Sequence, residues 1–318
     1  MAKAIYKKPK DTRRFWKKIW EDYGGMVYML PVLVGILCFT IIPMVTSLNY
    51  AFHDYDPYSR DPSEQLTNFG LQNFRRIFIS GDNGGSREVV FYSLFVTFRF
   101  AVLSIAISIV GSYMLALFLN QKTKGIKIFR VVYYLPTLIP GVAGTLLWKN
   151  ILGYEDIGYI NMILDGLGFE MFPFYEEKGT VLFTLLFTGL FGLGGGTIMW
   201  LAQMKNVPTE MYESADLDGA NYFHKLFYIT IPMTTAMLFY SLVTSAIGGL
   251  QAFGNVYPLK DVAGAEVEFI VVKIYDAAYM NGEMSYACAL SWFLFVIIGI
   301  LTAFVFKTSK WVYYGEEA

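Results

Sequence analysis

Three carboxylates and a glycine fall within the seven residues Glu213-Ser-Ala-Asp216-Leu-Asp218-Gly219, with Ala220 directly after, in a chain where charge is otherwise scarce. These residue types suit a surface grip better than a reaction. Pro208 and Thr209 supply a helix start, and Glu210, Glu213 and Asp216 place acid where the helix dipole favours it. Gly219 supplies a stop, and a second helix over about 221–229 leads to Pro232. The expected product is a short acidic helix, a glycine bend, and a helix running into the next apolar run. A segment that merely joined two apolar runs would need no such cassette.

Elsewhere the reactive side chains are few. The two histidines, His53 and His224, lie far apart in sequence, and no His, Cys or carboxylate pair has metal-ligand spacing. No serine sits in a nucleophile elbow, and no G-x-x-x-x-G-K-[ST] loop is present to hold ATP. Gly194-Gly-Gly196 is not a dinucleotide fingerprint, because Thr197 stands where the third glycine belongs. The chain of buried carboxylates that an ion-coupled carrier uses is missing. Driving energy must then come from elsewhere, or the protein is a passive pore or a scaffold. Arg99 is the one charge well inside an apolar run, about 15 Å along a helix starting near Val89. Three readings of it stay open: a functional intramembrane charge, snorkelling toward the headgroups, and an internal ion pair that orders the bundle.

The elements that must position these residues are apolar helices. Hydrophobic residues make up 55% of the 318 and charged ones 16%, against about 25% charged in soluble proteins. Six runs are long enough to cross roughly 30 Å of hydrocarbon: Gly24–Phe52, Val89–Gln121, Val131–Trp148, Gly179–Met204, Leu226–Leu259 and Met284–Phe306. The fifth is too long for a single crossing, so part of it must lie outside the bilayer or along its surface. The fold class expected is an all-α integral membrane protein of six transmembrane helices, with spans near 26–52, 89–120, 129–150, 180–204, 232–257 and 284–307. With the N-terminus inside, cytosolic segments hold sixteen Lys/Arg against nine Asp/Glu, and the opposite side eight against seventeen. That bias puts both termini in the cytosol. Residues 1–22 read as a basic, aromatic cytosolic tail, residues 23–318 as the membrane domain, and 205–231 as a cytosolic loop between spans 4 and 5.

The first apolar run is too long for a secretory signal and contains Pro31 and Pro43, so it reads as a retained span. Cys38 and Cys288 sit in apolar runs and suggest no disulfide framework. Short helices are expected over Asn68–Phe78, from the spacing of Leu71, Phe74, Ile77 and Phe78, and around Asn161–Leu167. Pro136 and Pro140 should kink the third span. Gly189, Gly192 and Gly194–Gly196 should let the fourth pack closely.

Glu213 to Ala220, followed by Leu226-Phe-Tyr-Ile229-Thr-Ile-Pro232, resembles the EAA signature of binding-protein-dependent ABC importer permeases, E-A-A-x-x-D-G-A, five residues, then F-x-x-I-x-L-P. Glu213, Ala215, Asp218, Gly219, Ala220, Ile229 and Pro232 match, while Ser214, Leu226 and Ile231 depart conservatively. The likeness extends along the chain. Tyr133–Pro140 with Trp148 is similar to the third span of sugar-type permeases, Gly194–Ala202 to the fourth, and Gln251–Tyr257 and Tyr286–Ser291 to the fifth and sixth. The carbohydrate group, including the maltose and glycerol-3-phosphate permeases, is most similar, without the large periplasmic insertion of the larger maltose subunit.

That resemblance implies the type I ABC importer permease fold, no enzyme activity, and a multi-pass place in the bacterial cytoplasmic membrane. The loop helix would be a coupling helix docking in a cleft of a cytosolic ATPase, with Glu213 making the contact, Gly219 the bend, Asp218 and Ala220 fixing the corner, and Ala215 in the same coupling set. No cofactor is expected on this chain; ATP and magnesium would sit on the partner. The partners implied are a second permease subunit in a heterodimer, two ATPase subunits and an extracytoplasmic solute-binding protein. The cargo implied is a sugar or oligosaccharide, with glycerol phosphate or another polyol as the alternative, and a non-transporting membrane scaffold as the reading from a different class. Candidate pathway residues are Gln251 and Asn255, which as i and i+4 share a helix face and can hydrogen-bond sugar hydroxyls, together with Tyr257, Trp148 and Arg99. Tyr257 and Trp148 can stack on sugar rings or simply belong to the interfacial aromatic belt.

Overall fold

The computed structural model describes residues 28–56, 66–79, 87–121, 124–154 and 158–313. The expected tail at 1–22 lies outside the described residues. The described part is helical apart from one antiparallel ribbon, β1 (Asp54–Tyr55) with β2 (Leu66–Thr67). Three unbroken helices are long and apolar enough to cross a membrane: α1 (Tyr28–Ala51), α3 (Arg87–Leu119) and, at the end of the chain, α14 (Met284–Lys307). Between α1 and α3 lies the short α2 (Gln72–Phe78).

The other three apolar runs are broken, each where the sequence removes a helical hydrogen bond or a side chain. The third comprises α4 (Ile126–Tyr134), a 3₁₀ turn over Leu135–Leu138, and α5 (Gly141–Leu152), with a 101° bend between the halves. Ile139 is extended because Pro140 follows it. The bend far exceeds the kink expected from the sequence. With 12 residues, α5 is about 18 Å long and cannot cross alone. After the loop helix α6 (Tyr159–Gly166), the fourth run divides into α7 (Thr180–Gly189) and α8 (Gly194–Lys205), bent by 49°. Next come α9 (Thr209–Leu217), α10 (Tyr222–Met233) and α11 (Thr235–Leu250), with 62° between the last two. Both α1 and α10 widen into one π-turn shortly before a proline, at Leu37–Ile41 ahead of Pro43 and at Leu226–Thr230 ahead of Pro232.

Small residues set the packing. α3 is the central helix and runs along α11 and α8; α14 packs on the second half of α1. A Cβ on Gly249 would meet the Cβ of Ala101 at 3.2 Å, which is why α11 and α3 can approach so closely. At Gly194 the approach is tighter still, since a Cβ there would lie 2.4 Å from the Tyr133 carbonyl oxygen. Gly189 and Gly192 have open space in that direction. The glycine-rich fourth run therefore has two uses, one for packing and one for leaving room.

Beyond α11 the chain folds back over one end of the bundle through α12 (Lys260–Ala263) and α13 (Ile270–Tyr275). This end is held by ion pairs: Arg76 with Glu283 (2.9 Å), Lys260 with Asp276 (2.7 Å), Lys273 with Glu268 (3.0 Å), and Arg99 with Glu266. The hydrogen bond to Asp276 pushes the Lys260 ammonium above its ordinary pKa of 10.5. The Ile270 amide donates to Thr97 Oγ1 at 2.9 Å, tying α13 to α3. Asn161 clips its own loop to carbonyls of Gly153 (2.8 Å) and Phe172 (3.0 Å).

Candidate functional site

At the other end, α9 begins at Thr209 behind Pro208 and ends in a complete capping motif. Gly219 has φ +75°, a conformation that costs glycine nothing. Its amide donates to the Asp216 carbonyl (3.2 Å), and the Ala220 amide reaches back to the Ala215 carbonyl (2.9 Å). The half-buried side chains of Ala215 and Ala220 belong to the same corner. Asn221 then caps the next helix by accepting from the His224 amide at 2.9 Å. Lys225 on α10 pairs with Asp216 on α9 at 2.6 Å, spanning the bend.

The acidic cassette thus divides by role. Ala215, Gly219 and Ala220 build the turn, whereas Glu213 and Asp218 are exposed. Large apolar side chains of the same two helices are also uncovered: Leu217 is 91% exposed, Tyr228 77% and Phe223 65%. Exposed apolar side chains beside outward carboxylates form a patch of the kind that marks an interaction site.

The candidate pathway residues do not stay together. Trp148 and Asn255 line one cavity of about 420 Å³ between α5 and α7, along with Thr145, Thr188, Gly189 and Gly192. Trp148 packs against Phe191 with ring centroids 4.7 Å apart. Tyr175 closes another part of the wall, and burial pushes its phenol pKa up. Asn255 also reaches a second cavity of about 250 Å³ between α3 and α11, lined by Ser104, Ser108, Ser245 and Gly248. These serines were missed in the sequence, although Ser104 and Ser108 are four apart and share a helix face.

Gln251 and Tyr257 depart from expectation. α11 ends at Leu250, so Gln251 and Asn255 do not share a helix face. Gly248 and Gly249 weaken the last turn, and the amides of Val256 and Tyr257 bond instead to the Phe253 carbonyl in a tight turn. Gln251 is exposed and lines neither cavity. Tyr257 stacks on Phe253 (4.9 Å) and meets Tyr275 (4.8 Å) in an aromatic cluster. For Arg99 the geometry selects the internal ion pair, with Glu266 only 10% exposed. Glu266 lies 167 residues away in sequence, so nothing local could have named it. No cluster of three or more metal-ligating side chains occurs among the described residues.

No protein-family model matches the chain. Curated sequences do. It is 32% identical over 303 residues to the Probable ABC transporter permease protein YesP of Bacillus subtilis, covering 93% of this chain and 94% of that one. The chain belongs to the ABC transporter permeases. Like them, this permease is a multi-pass transport subunit and not an enzyme. It is also 25% identical to the arabinooligosaccharides transport system permease protein AraP of Bacillus subtilis, over 92% of this chain and 91% of that one. Among solved structures, the bacterial alginate ABC transporter crystallised with an alginate pentasaccharide-bound periplasmic protein has the same fold. Its TM-score is 0.78 at 22% identity, with 93% of this permease and 97% of that chain covered.

Proposed function

We propose that this permease is one of two membrane subunits of an importer for sugars or oligosaccharides, driven by ATP hydrolysis on two separate ATPase subunits. Both termini face the cytosol of a bacterial cell, and a solute-binding protein delivers cargo to the ion-paired end. The similar AraP, named for arabinooligosaccharides, and the alginate transporter support the carbohydrate class. The observation that carries the coupling assignment is the loop itself. A rigid corner presents Glu213 and Asp218 with exposed Leu217, Phe223 and Tyr228, on the side that the lysine and arginine bias assigns to the cytosol. ATP and magnesium belong to the ATPases this surface grips.

Cargo would pass the Trp148–Asn255 cavity and the serine-lined groove beside it. Asn255 and the hydroxyls of Ser104, Ser108 and Ser245 offer hydrogen bonds to sugar hydroxyls, and Trp148 offers an apolar ring face. Reconstitution with the partner subunits tests the assignment. Sugar-loaded binding protein should stimulate ATP hydrolysis and drive uptake of labelled oligosaccharide. Uptake of glycerol phosphate instead would replace the cargo class, and absence of both stimulation and uptake would leave a scaffold.

A further inference from the structure

Two hydroxyl contacts lie behind the docking corner. On α9, Tyr212 is half-buried between exposed neighbours, and its OH lies 2.9 Å from Thr230 Oγ1 in the π-turn of α10. Thr230 is 7% exposed and spends its one hydroxyl hydrogen on the Lys225 carbonyl at 3.2 Å. Tyr212 must therefore be the donor in the pair. Four residues on, Thr234 is 1% exposed and sits at the 62° break between α10 and α11. Its hydroxyl donates to the Thr230 carbonyl at 2.8 Å, which leaves its oxygen to accept from Tyr113 OH of α3 at 3.4 Å. Tyr113 meets the buried Trp200 of α8 edge to face, with centroids 4.8 Å apart.

Tyrosines from two different elements donate into two threonines, and those threonines occupy the two irregular points of α10, its π-turn and its break. Regular helix on either side is stiff, so a change in the α9 angle is absorbed at these points or transmitted through them. The hydroxyl relay ends on α3, which carries Ser104 and Ser108 of the groove.

We propose that Tyr212, Thr230, Thr234 and Tyr113 are positioning residues forming a hydroxyl latch, which holds the docking helix at a fixed angle to the broken span and passes its displacement to α3. The inference rests on the coupling assignment of the α9 loop. It adds that coupling strength is set behind the docking surface, by residues that touch neither ATPase nor cargo.

The test uses the complete importer in proteoliposomes, reading cargo moved per ATP hydrolysed. Tyr212→Phe and Thr230→Val should keep the ATPases bound and hydrolysing, while cargo per ATP falls about fivefold, the equivalent of one net hydrogen bond. Thr230→Ser keeps the hydroxyl and should restore the wild-type ratio. The double variant should be no worse than Thr230→Val alone, since that substitution already removes the bond that Tyr212→Phe removes. An unchanged ratio in the two single variants, or an additive loss in the double, overturns the latch. Loss of ATPase binding by Tyr212→Phe also overturns it, because a latch behind the docking surface leaves docking intact. The docking assignment fails separately, if Glu213→Lys retains the ATPases in the purified complex with unchanged affinity.

Discussion

Adjacent glycines at 194 and 195 should respond to the same added methyl with opposite signs. An alanine Cβ at Gly194 would stand 2.4 Å from the Tyr133 carbonyl oxygen and 2.8 Å from Thr137 Cγ2. The threonine methyl can turn aside; the backbone carbonyl of α4 cannot move without shifting the helix. Carbon and oxygen need nearly 1 Å more separation than this, so α8 must retreat from α4 at the mouth of the broken third and fourth runs. Overpacking of that kind costs about 1–3 kcal/mol, and a backbone obstacle places Gly194→Ala near ~3 kcal/mol. At Gly195 nothing lies within 4 Å of the new Cβ. There the helix gains up to about 1 kcal/mol from replacing glycine. Reversible unfolding of the purified permease in mixed micelles, titrated with a denaturing detergent, should separate the variants by about 3 kcal/mol or more. Equal midpoints, or Gly195→Ala as the weaker of the two, would refute the claim that Gly194 is a contact and Gly195 a spectator.

The Arg99–Glu266 pair should behave as a buried ion pair. Glu266→Gln strands the arginine and should cost about 2–3 kcal/mol, below the 3–5 of a fully buried pair because Arg99 is 33% exposed. The double replacement Arg99→Met with Glu266→Leu should recover most of that loss in the same unfolding assay. For the cavity, Asn255→Leu should slow uptake at least tenfold with ATPase assembly unchanged, whereas Gln251→Leu, at an exposed site outside both cavities, should change uptake less than twofold. Equal effects of the two would show that the cavity is not the path.

Periodicity and punctuation made much of the molecule readable before its structure. Pro208, Thr209 and Gly219 bounded α9 because helix ends are decided locally, by capping and by φ. What the sequence hid was non-local. Glu266 could be assigned to Arg99 only once the 251–283 segment had folded back over α3. Thr230 and Thr234 look like ordinary helix residues until the π-turn and the break bring them to Tyr212 and Tyr113. The Gln251–Asn255 helix face failed for a related reason. An apolar run predicts helix, but Gly248, Gly249 and Gly254 permitted a turn that aromatic packing at Tyr257 and Tyr275 then favoured. The 101° break had a local cause in Pro136 and Pro140, but its size could not be read from the two prolines.

The central claim is that this chain moves cargo with energy received at the α9–α10 corner. The most direct measurement is ATP-driven oligosaccharide uptake by vesicles holding wild type or Gly219→Pro in the assembled importer. Proline cannot adopt φ +75°, so the substitution removes the bend locally, far from both cavities. The account predicts normal membrane insertion of Gly219→Pro and uptake reduced to background. Wild-type uptake by that variant would contradict it.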